Sequence, residues 1–414
     1  MVKSPVSLAF LLLLTFLLSG CWDVKQADEI MYVSAIGLDD ADDGKIKITY
    51  LIINPEYGTQ PNSSTDTEPF NYVTFVADDL YIAKSMINTI MSNSISYVLL
   101  NQIFVSEKLA KKEKFIHWIY DATKLTEIRR DINLVVTKEE AEAYLAKFNP
   151  KIEKRPIKYF PEKAEINELS GLVPYNTEIF YYFRVTELNN DLFLSIYSSN
   201  DEKLQTSSHT EPYSSEILKL KGNIDFTQFL GAAVFKKGKM IGTLNGLETM
   251  LVSMLHTNYQ GKEYFVRSFR DPFDEKLPLT VRLNIIDRTK IKLDIHKKNP
   301  SIHVTLPIKV DVFTNHSMVN YAWNMENRKK LKDHLEKELE KQYESLLKKT
   351  QEEFGADPFD WSIIARRQFT TIDAFESYDW MKKYSQADIS IDINLRFGDF
   401  GRQSEVINLK RLQE

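Results

Sequence analysis

The chain of 414 residues contains one cysteine, Cys21, and only 14 glycines. A single thiol cannot form an intramolecular disulfide, so no disulfide framework supports the fold. So few glycines leave little material for phosphate-cradling loops, and no G-x-S-x-G elbow, Walker loop or dinucleotide fingerprint occurs. Seven histidines are scattered with no two at ligand spacing on one helix face, which argues against a zinc site. Beyond Leu18 no apolar run approaches the ~20 residues that span a bilayer. Charge of one sign is also scarce: 53 basic and 58 acidic residues give a net charge of −5. Such mild acidity argues against nucleic acid and against a polybasic membrane patch.

What is present begins at the N-terminus. Lys3 supplies a positive start, Leu8 to Leu18 is apolar except for Thr15, and small Ser19 and Gly20 precede Cys21. This apolar core is too short to cross a membrane and reads as a cleaved signal peptide over residues 1–20. Leu18-Ser19-Gly20-Cys21 is the pattern of signal peptidase II processing, so Cys21 is expected to carry S-diacylglycerol and N-palmitoyl groups. Each buried methylene contributes about 0.8 kcal/mol, and several acyl chains together make attachment effectively permanent. Cys21 is then an anchor and not a catalyst.

The chain, 43% hydrophobic and 12% aromatic, has the composition of a packed globular protein. Ile30 to Leu38 and Lys45 to Ile53, joined by acidic Asp39 to Gly44, read as a hairpin with Ile46, Ile48, Tyr50 and Ile52 alternating. A strand at 71–76 leads to a helix from Asp78, taken as N-cap, to Ser94. A strand at 99–105, a helix at 106–121, a strand at 133–136 and a helix at 138–148 capped by Thr137 follow. Lys151 to Pro161, broken by two prolines, reads as a boundary; a helix at 176–186, a strand at 192–197 and a polar loop at 198–215 come next. Phe229 to Leu244 reads as strand, turn at Lys237-Gly238 and strand, with Asn245 capping a helix to Leu255. Strands at 279–286, 291–295 and 302–313 precede a long helix from Asn324 to Phe354, striped by Leu331, Leu335, Leu339, Tyr343 and Leu346 and ended by Gly355. A second helix over 358–384, bringing Trp361 and Trp380 into the core, and a strand at 387–397 close the chain.

The expected class is α/β of the α+β type, in three consecutive mixed sheet-and-helix domains: 21–150, 151–262, and 263–414 with an antiparallel sheet and long helices. Two constellations invite a chemical reading. The acidic hairpin tip lacks the spacing and closing Glu of an EF-hand, so a solvated turn is preferred to a calcium loop. Asp357, Asp360 and Asp373 beside Trp361 could be imagined as a sugar site, but Trp beside a capping Asp is more often packing. No catalytic, cofactor or metal residue is assigned, and no enzyme is expected.

Three blocks together resemble the Ger(x)C family of spore-germination lipoproteins. They are Cys21-Trp22-Asp23 leading into Ala35-Ile36-Gly37-Leu38-Asp39; Gly231 to Phe235 with Gly242-Thr243-Leu244 and Glu248; and Phe354-Gly355-Ala356-Asp357 through Trp380 to the strand ending at Gly398. Val24 to Ala27, and Pro358-Phe359-Asp360 in place of a common Gly-Phe-Gly run, depart from the family pattern. The resemblance implies a non-catalytic C subunit of a nutrient germinant receptor, lipid-anchored on the outer face of the inner spore membrane. Its implied partners are the integral A and B subunits. The competing expectation is an extracytoplasmic solute-binding lipoprotein with two similar lobes around a cleft.

Overall fold

The computed structural model describes residues 30–54, 68–150, 156–201, 205–206, 217–218, 222, 225–257, 264–287 and 289–401. Cys21 and the departure at Val24 to Ala27 lie outside the described residues, as does most of the polar loop at 198–215.

Strands β1 (Ile30–Asp40), β2 (Ile46–Ile53) and β3 (Phe70–Ala77) form an antiparallel meander, with Asp43 and Gly44 at positive φ in the first turn. Short β4 (Ser94–Ser96) extends parallel to the start of β1. Strands β5 (Gln102–Ser106), β6 (Asn133–Thr137) and β7 (Phe193–Ser199) lie parallel to β1, and β10 (Gln228–Lys236) and β11 (Lys239–Asn245) add an antiparallel hairpin. The order is β11-β10-β7-β6-β5-β1-β2-β3 in one nine-stranded sheet, so the first two expected units share a sheet across residue 150. Between β7 and β10, Gln205–Thr206 (β8) and Ile217–Leu218 (β9) pair in parallel.

Both faces of this sheet are covered. On one lie α1 (Leu80–Ile90), α2 (Glu107–Ala110), α3 (Phe115–Lys124) and α6 (Ile179–Leu188); on the other α4 (Ala141–Lys147) and α5 (Pro156–Leu169). The expected alternation of Ile46, Ile48, Tyr50 and Ile52 points all four into the first core. Four local expectations change. Asp79, not Asp78, caps α1 by accepting from Ile82 N at 2.7 Å. The helix expected over 106–121 is two short ones broken at Lys111 to Lys114. Pro156 opens α5, where its missing amide would have no intrahelical partner, and Pro161 lies inside the helix at the cost of one bond to the preceding turn, so the two prolines do not mark a bare linker. Thr137 ends β6, and α4 takes its cap from Asp39 of β1, whose oxygens accept from Ala141 N at 2.8 Å and Glu142 N at 2.9 Å.

The C-terminal part builds a second sheet from β12 (Phe265–Asp271), β13 (Asp274–Ile285), β15 (Ser301–Asn315) and β14 (Lys290–Asp294), with β16 (Asp388–Phe397) parallel to β15. Helix α8 (Met325–Lys348) lies on it with the expected stripe buried, starts at Asn324, which accepts from Glu326 N and Asn327 N at 3.0 and 3.1 Å, and widens into a π-turn over Lys349–Phe354 before left-handed Gly355. The single helix expected over 358–384 is instead α9 (Ser362–Arg366), α10 (Ile372–Tyr378) and α11 (Trp380–Tyr384). Asp379, at φ 55°, ends α10 and caps α11, a reversal that helical periodicity does not register. Trp361 and Trp380 are both buried. The largest core joins the two sheets: it takes Leu194, Ala232, Val234 and Leu244 from the nine-stranded sheet, helix α7 (Gly246–Leu255), and the inner faces of β12 to β16 and α8. The α+β class holds.

Candidate functional site: a buried acidic joint

The two sheets meet around Phe354 to Ser362. Gly355 ends the long helix, and Leu192 N, at the entry to β7, donates to Asp357 O at 2.8 Å. Asp357 is fully buried. Its oxygens accept from Phe359 N at 2.7 Å, Ser362 N at 3.1 Å and Trp380 Nε1 at 3.1 Å, so one carboxyl organises its own turn and fixes α11. Asp360, at φ 60°, accepts from Tyr181 Oη of α6, and His256 Nε2 stands 3.6 Å from it. Ser362 Oγ donates to Asp191, whose other oxygen has no hydrogen-bond partner among the described residues. Trp361 Nε1 donates to Leu255 O at 3.2 Å while its ring stacks on Phe359 at 4.5 Å.

Burial sets the electrostatics. Removal from water raises the carboxyls of Asp191 and Asp357 above the usual range, Asp357 to about 7; repulsion from Asp357 and Asp360 lifts Asp191 further, whereas the hydrogen bonds from Phe359 N and Trp380 pull Asp357 back. Burial lowers His256 below its ordinary value, which favours the neutral ring. The cavity here, lined by Tyr175, Tyr181, His256 and Asp360 among others, is about 10 Å³. That volume is at the limit for one water and excludes a sugar or an amino acid. The structure therefore brings together Asp357 and Asp360 from the imagined sugar constellation, but as a closed structural cluster. Asp373 stands apart, exposed in the first turn of α10.

Two of the three blocks that carried the family resemblance meet at this joint. A Cβ on Gly231, at φ 128°, would lie 2.2 Å from Leu244 O, and one on Gly242 would lie 2.8 Å from the ring of Phe354. Lys236 Nζ donates to Phe354 O and Gly355 O at 2.8 and 3.1 Å. Glu248 completes a capping box with Asn245 and binds Lys349 of the π-turn. In the first block a Cβ on Gly37 would lie 2.9 Å from Leu145, and Asp39 caps α4. Asp191 was missed by sequence reading, because an acid ahead of a strand carries no spacing that separates it from a surface residue.

Beside the joint lies a polar recess of about 930 Å³, lined by Glu187, Asn189, Lys236, Asp379 and Lys382 among others, roomy enough for a small polar molecule. Among the described residues no group of three His, Cys, Asp or Glu side chains could hold a metal ion, and no helix is long and apolar enough to cross a membrane.

Comparison with known proteins adds the following. Residues 23–215 match the family described as "Spore germination protein N-terminal domain", and residues 230–401 match "Spore germination B3/ GerAC like, C-terminal". The chain is 24% identical to spore germination protein B3 of Bacillus subtilis, over 96% of this chain and 98% of that protein. It is 23% identical to spore germination protein GerQC of Bacillus cereus, over 95% and 98% respectively. The crystal structure of the GerBC protein superposes with a TM-score of 0.53 at 19% identity, covering 87% of this chain and 96% of that one, which shows a shared fold.

Proposed function

The chain belongs to the Ger(x)C family of spore-germination proteins, and on that premise we propose that it is the lipid-anchored C subunit of a nutrient germinant receptor. It acts without catalysis beside integral A and B subunits to trigger germination. The observation that carries this reading is the correspondence with spore germination protein B3 over 96% of this chain and 98% of that protein. The closed acidic cluster supports it, since a cavity of 10 Å³ holds carboxylates for architecture and offers no room for a substrate. Acylation of Cys21 on the outer face of the inner spore membrane completes the proposal, with residues 1–20 removed as signal peptide and a unit built on the nine-stranded sheet meeting a C-terminal unit near residue 262. A lipid tether confines the folded part to the membrane plane and raises its effective concentration at an integral partner without a new contact. The solute-binding alternative expects two similar lobes, whereas the two sheets here have nine and five strands and different topologies.

The test is germination of spores from a deletion strain, challenged with single nutrients and mixtures and complemented with the wild-type or Cys21→Ala chain. Loss of response to one nutrient class, restored by the wild type and not by the Cys21→Ala protein, is the expected result. Normal germination of the deletion strain would overturn the receptor reading, and full function of Cys21→Ala would overturn the anchor.

A further inference from the structure

From Ser85 to Ser106 the chain carries no Asp, Glu, Lys, Arg or His, the longest such run in a sequence that is 27% charged. Core packing explains part of it: Ile87, Ile95, Tyr97, Leu100 and Ile103 to Val105 are buried. It does not explain Ile90, Val98, Met86 and Leu99, which are 65%, 55%, 38% and 37% exposed. Ile82, Met86 and Ile90 recur at intervals of four and so form one edge of α1. Lys84, the charged residue of that helix, pairs with Glu127 over the ring of Tyr97.

The position of this neutral surface is set by hydrogen bonds. Ile95 N donates to Asn88 Oδ1 at 3.0 Å, which holds the last turn of α1 against β4. Strand β4 pairs with the first residues of β1 through Ile30 and Ser94, Met31 and Ile95, and Tyr32 and Ser96. The turn carrying Val98 and Leu99 returns to β1 where Asn101 N donates to Ser34 O at 3.1 Å. The exposed apolar side chains thus stand beside the entry of β1. Ile30 follows Cys21 by nine positions, a tether of at most about 30 Å when fully extended. The acidic pair Asp78 and Asp79 flanks the other end of α1, away from that entry.

We propose that the apolar patch beside the entry of β1 is a membrane footprint: Ile90, Val98 and Leu99 enter the headgroup–acyl boundary of the bilayer to which Cys21 is tethered. The proposal rests on the acylation of Cys21 and adds an orientation to it. Ile90, Val98 and Leu99 carry no charge into the interface, the adjoining Lys84 and Glu127 neutralise each other over Tyr97, and the lipid supplies the proximity that so small a patch could not secure alone. Strand β1 then rises from the membrane, and the joint around Asp357 belongs to the part reached only through the nine-stranded sheet.

Acylation of Cys21 leaves the mature protein without a free thiol, so Ile90→Cys, Val98→Cys, Leu99→Cys and, as control, Ile372→Cys each accept one thiol-reactive fluorophore. The full-length acylated protein is incorporated into phosphatidylglycerol–phosphatidylethanolamine vesicles, with or without brominated acyl chains, after circular dichroism confirms the fold. Flotation with vesicles and bromine-dependent loss of most emission at positions 90, 98 and 99, with none at 372, is the expected result. Protein that floats while all four labels keep their emission overturns the footprint and leaves the anchor standing. Protein that fails to float overturns both.

Discussion

Lys349 Nζ bonds both carboxylate oxygens of Glu248, at 2.9 and 2.8 Å, and so ties the π-turn of the long helix to the first turn of α7. The same Glu248 accepts from Asn245 N at 2.8 Å, closing the capping box. One carboxylate therefore serves a local cap and the junction between the two sheets. Glu248→Ala removes both, at an expected cost of about 2–4 kcal/mol. Glu248→Gln keeps the cap, weakens the ion pair and costs less. Urea unfolding of the two variants, with Lys349→Met for a double-mutant cycle, checks the division; equal losses for Ala and Gln would contradict it.

Gly242 and Gly231 are constrained by different neighbours, a ring and a backbone. Gly242→Ala pushes against Phe354 and is expected to cost about 1–3 kcal/mol, with recovery when Phe354→Leu makes room. Gly231→Ala meets Leu244 O at positive φ and has no side chain to yield, so no partner substitution should restore it. Thermal unfolding of the singles and of the Gly242–Phe354 double variant separates the two cases.

The buried acids make stability fall as pH rises. Their native values lie above the unfolded value near 4, so between pH ~4 and the native values the folded state binds more protons than the unfolded chain. Each such group then costs about 1.4 kcal/mol per pH unit across its window. His256 acts oppositely: its lowered value removes stability as pH falls below ~6.5, where the unfolded ring takes up a proton that the folded one refuses. Asp191→Asn keeps an oxygen for Ser362 Oγ and removes the charge, so it should raise the melting temperature, and by more at pH 8 than at pH 5. Melting curves from pH 5 to 9 that run parallel in wild type and variant would refute this.

Asp39 supplies from β1 the cap that α4 lacks in its own sequence. Asp39→Ala leaves two amides at Ala141 and Glu142 without acceptors in a buried setting and is expected to cost about 2–4 kcal/mol. Asp39→Asn, with one acceptor left, should fall between. Hydrogen exchange at α4 amides should rise in the same order; unchanged protection in Asp39→Ala would show that the cap is dispensable.

Much of the fold was legible because its signals are local. The alternation in β2, the Asn245 cap, the turn at Lys237-Gly238, the stripe of α8 and the stop at Gly355 each depend on residues within a few positions of one another. The helix expected over 358–384 failed for the same reason: apolar spacing continued through a left-handed Asp379 that breaks it. Of the joint, Asp357, Asp360 and Trp361 could be nominated from sequence, and Asp191 could not.

By itself the sequence determined the α+β class, the Asn245 cap, the turn at Lys237-Gly238 and the blocks that resemble the family, and it carries lipid attachment at Cys21 as an expectation. Tertiary structure decided that Asp39 caps a helix 102 positions away, that one sheet runs through residues 30 to 245, and that Asp357 and Asp360 are architecture closed to solutes. The physical reason is range: periodicity and capping are written by neighbours along the chain, whereas burial, and the shifted carboxyls it produces, arise only when distant segments exclude water from one another.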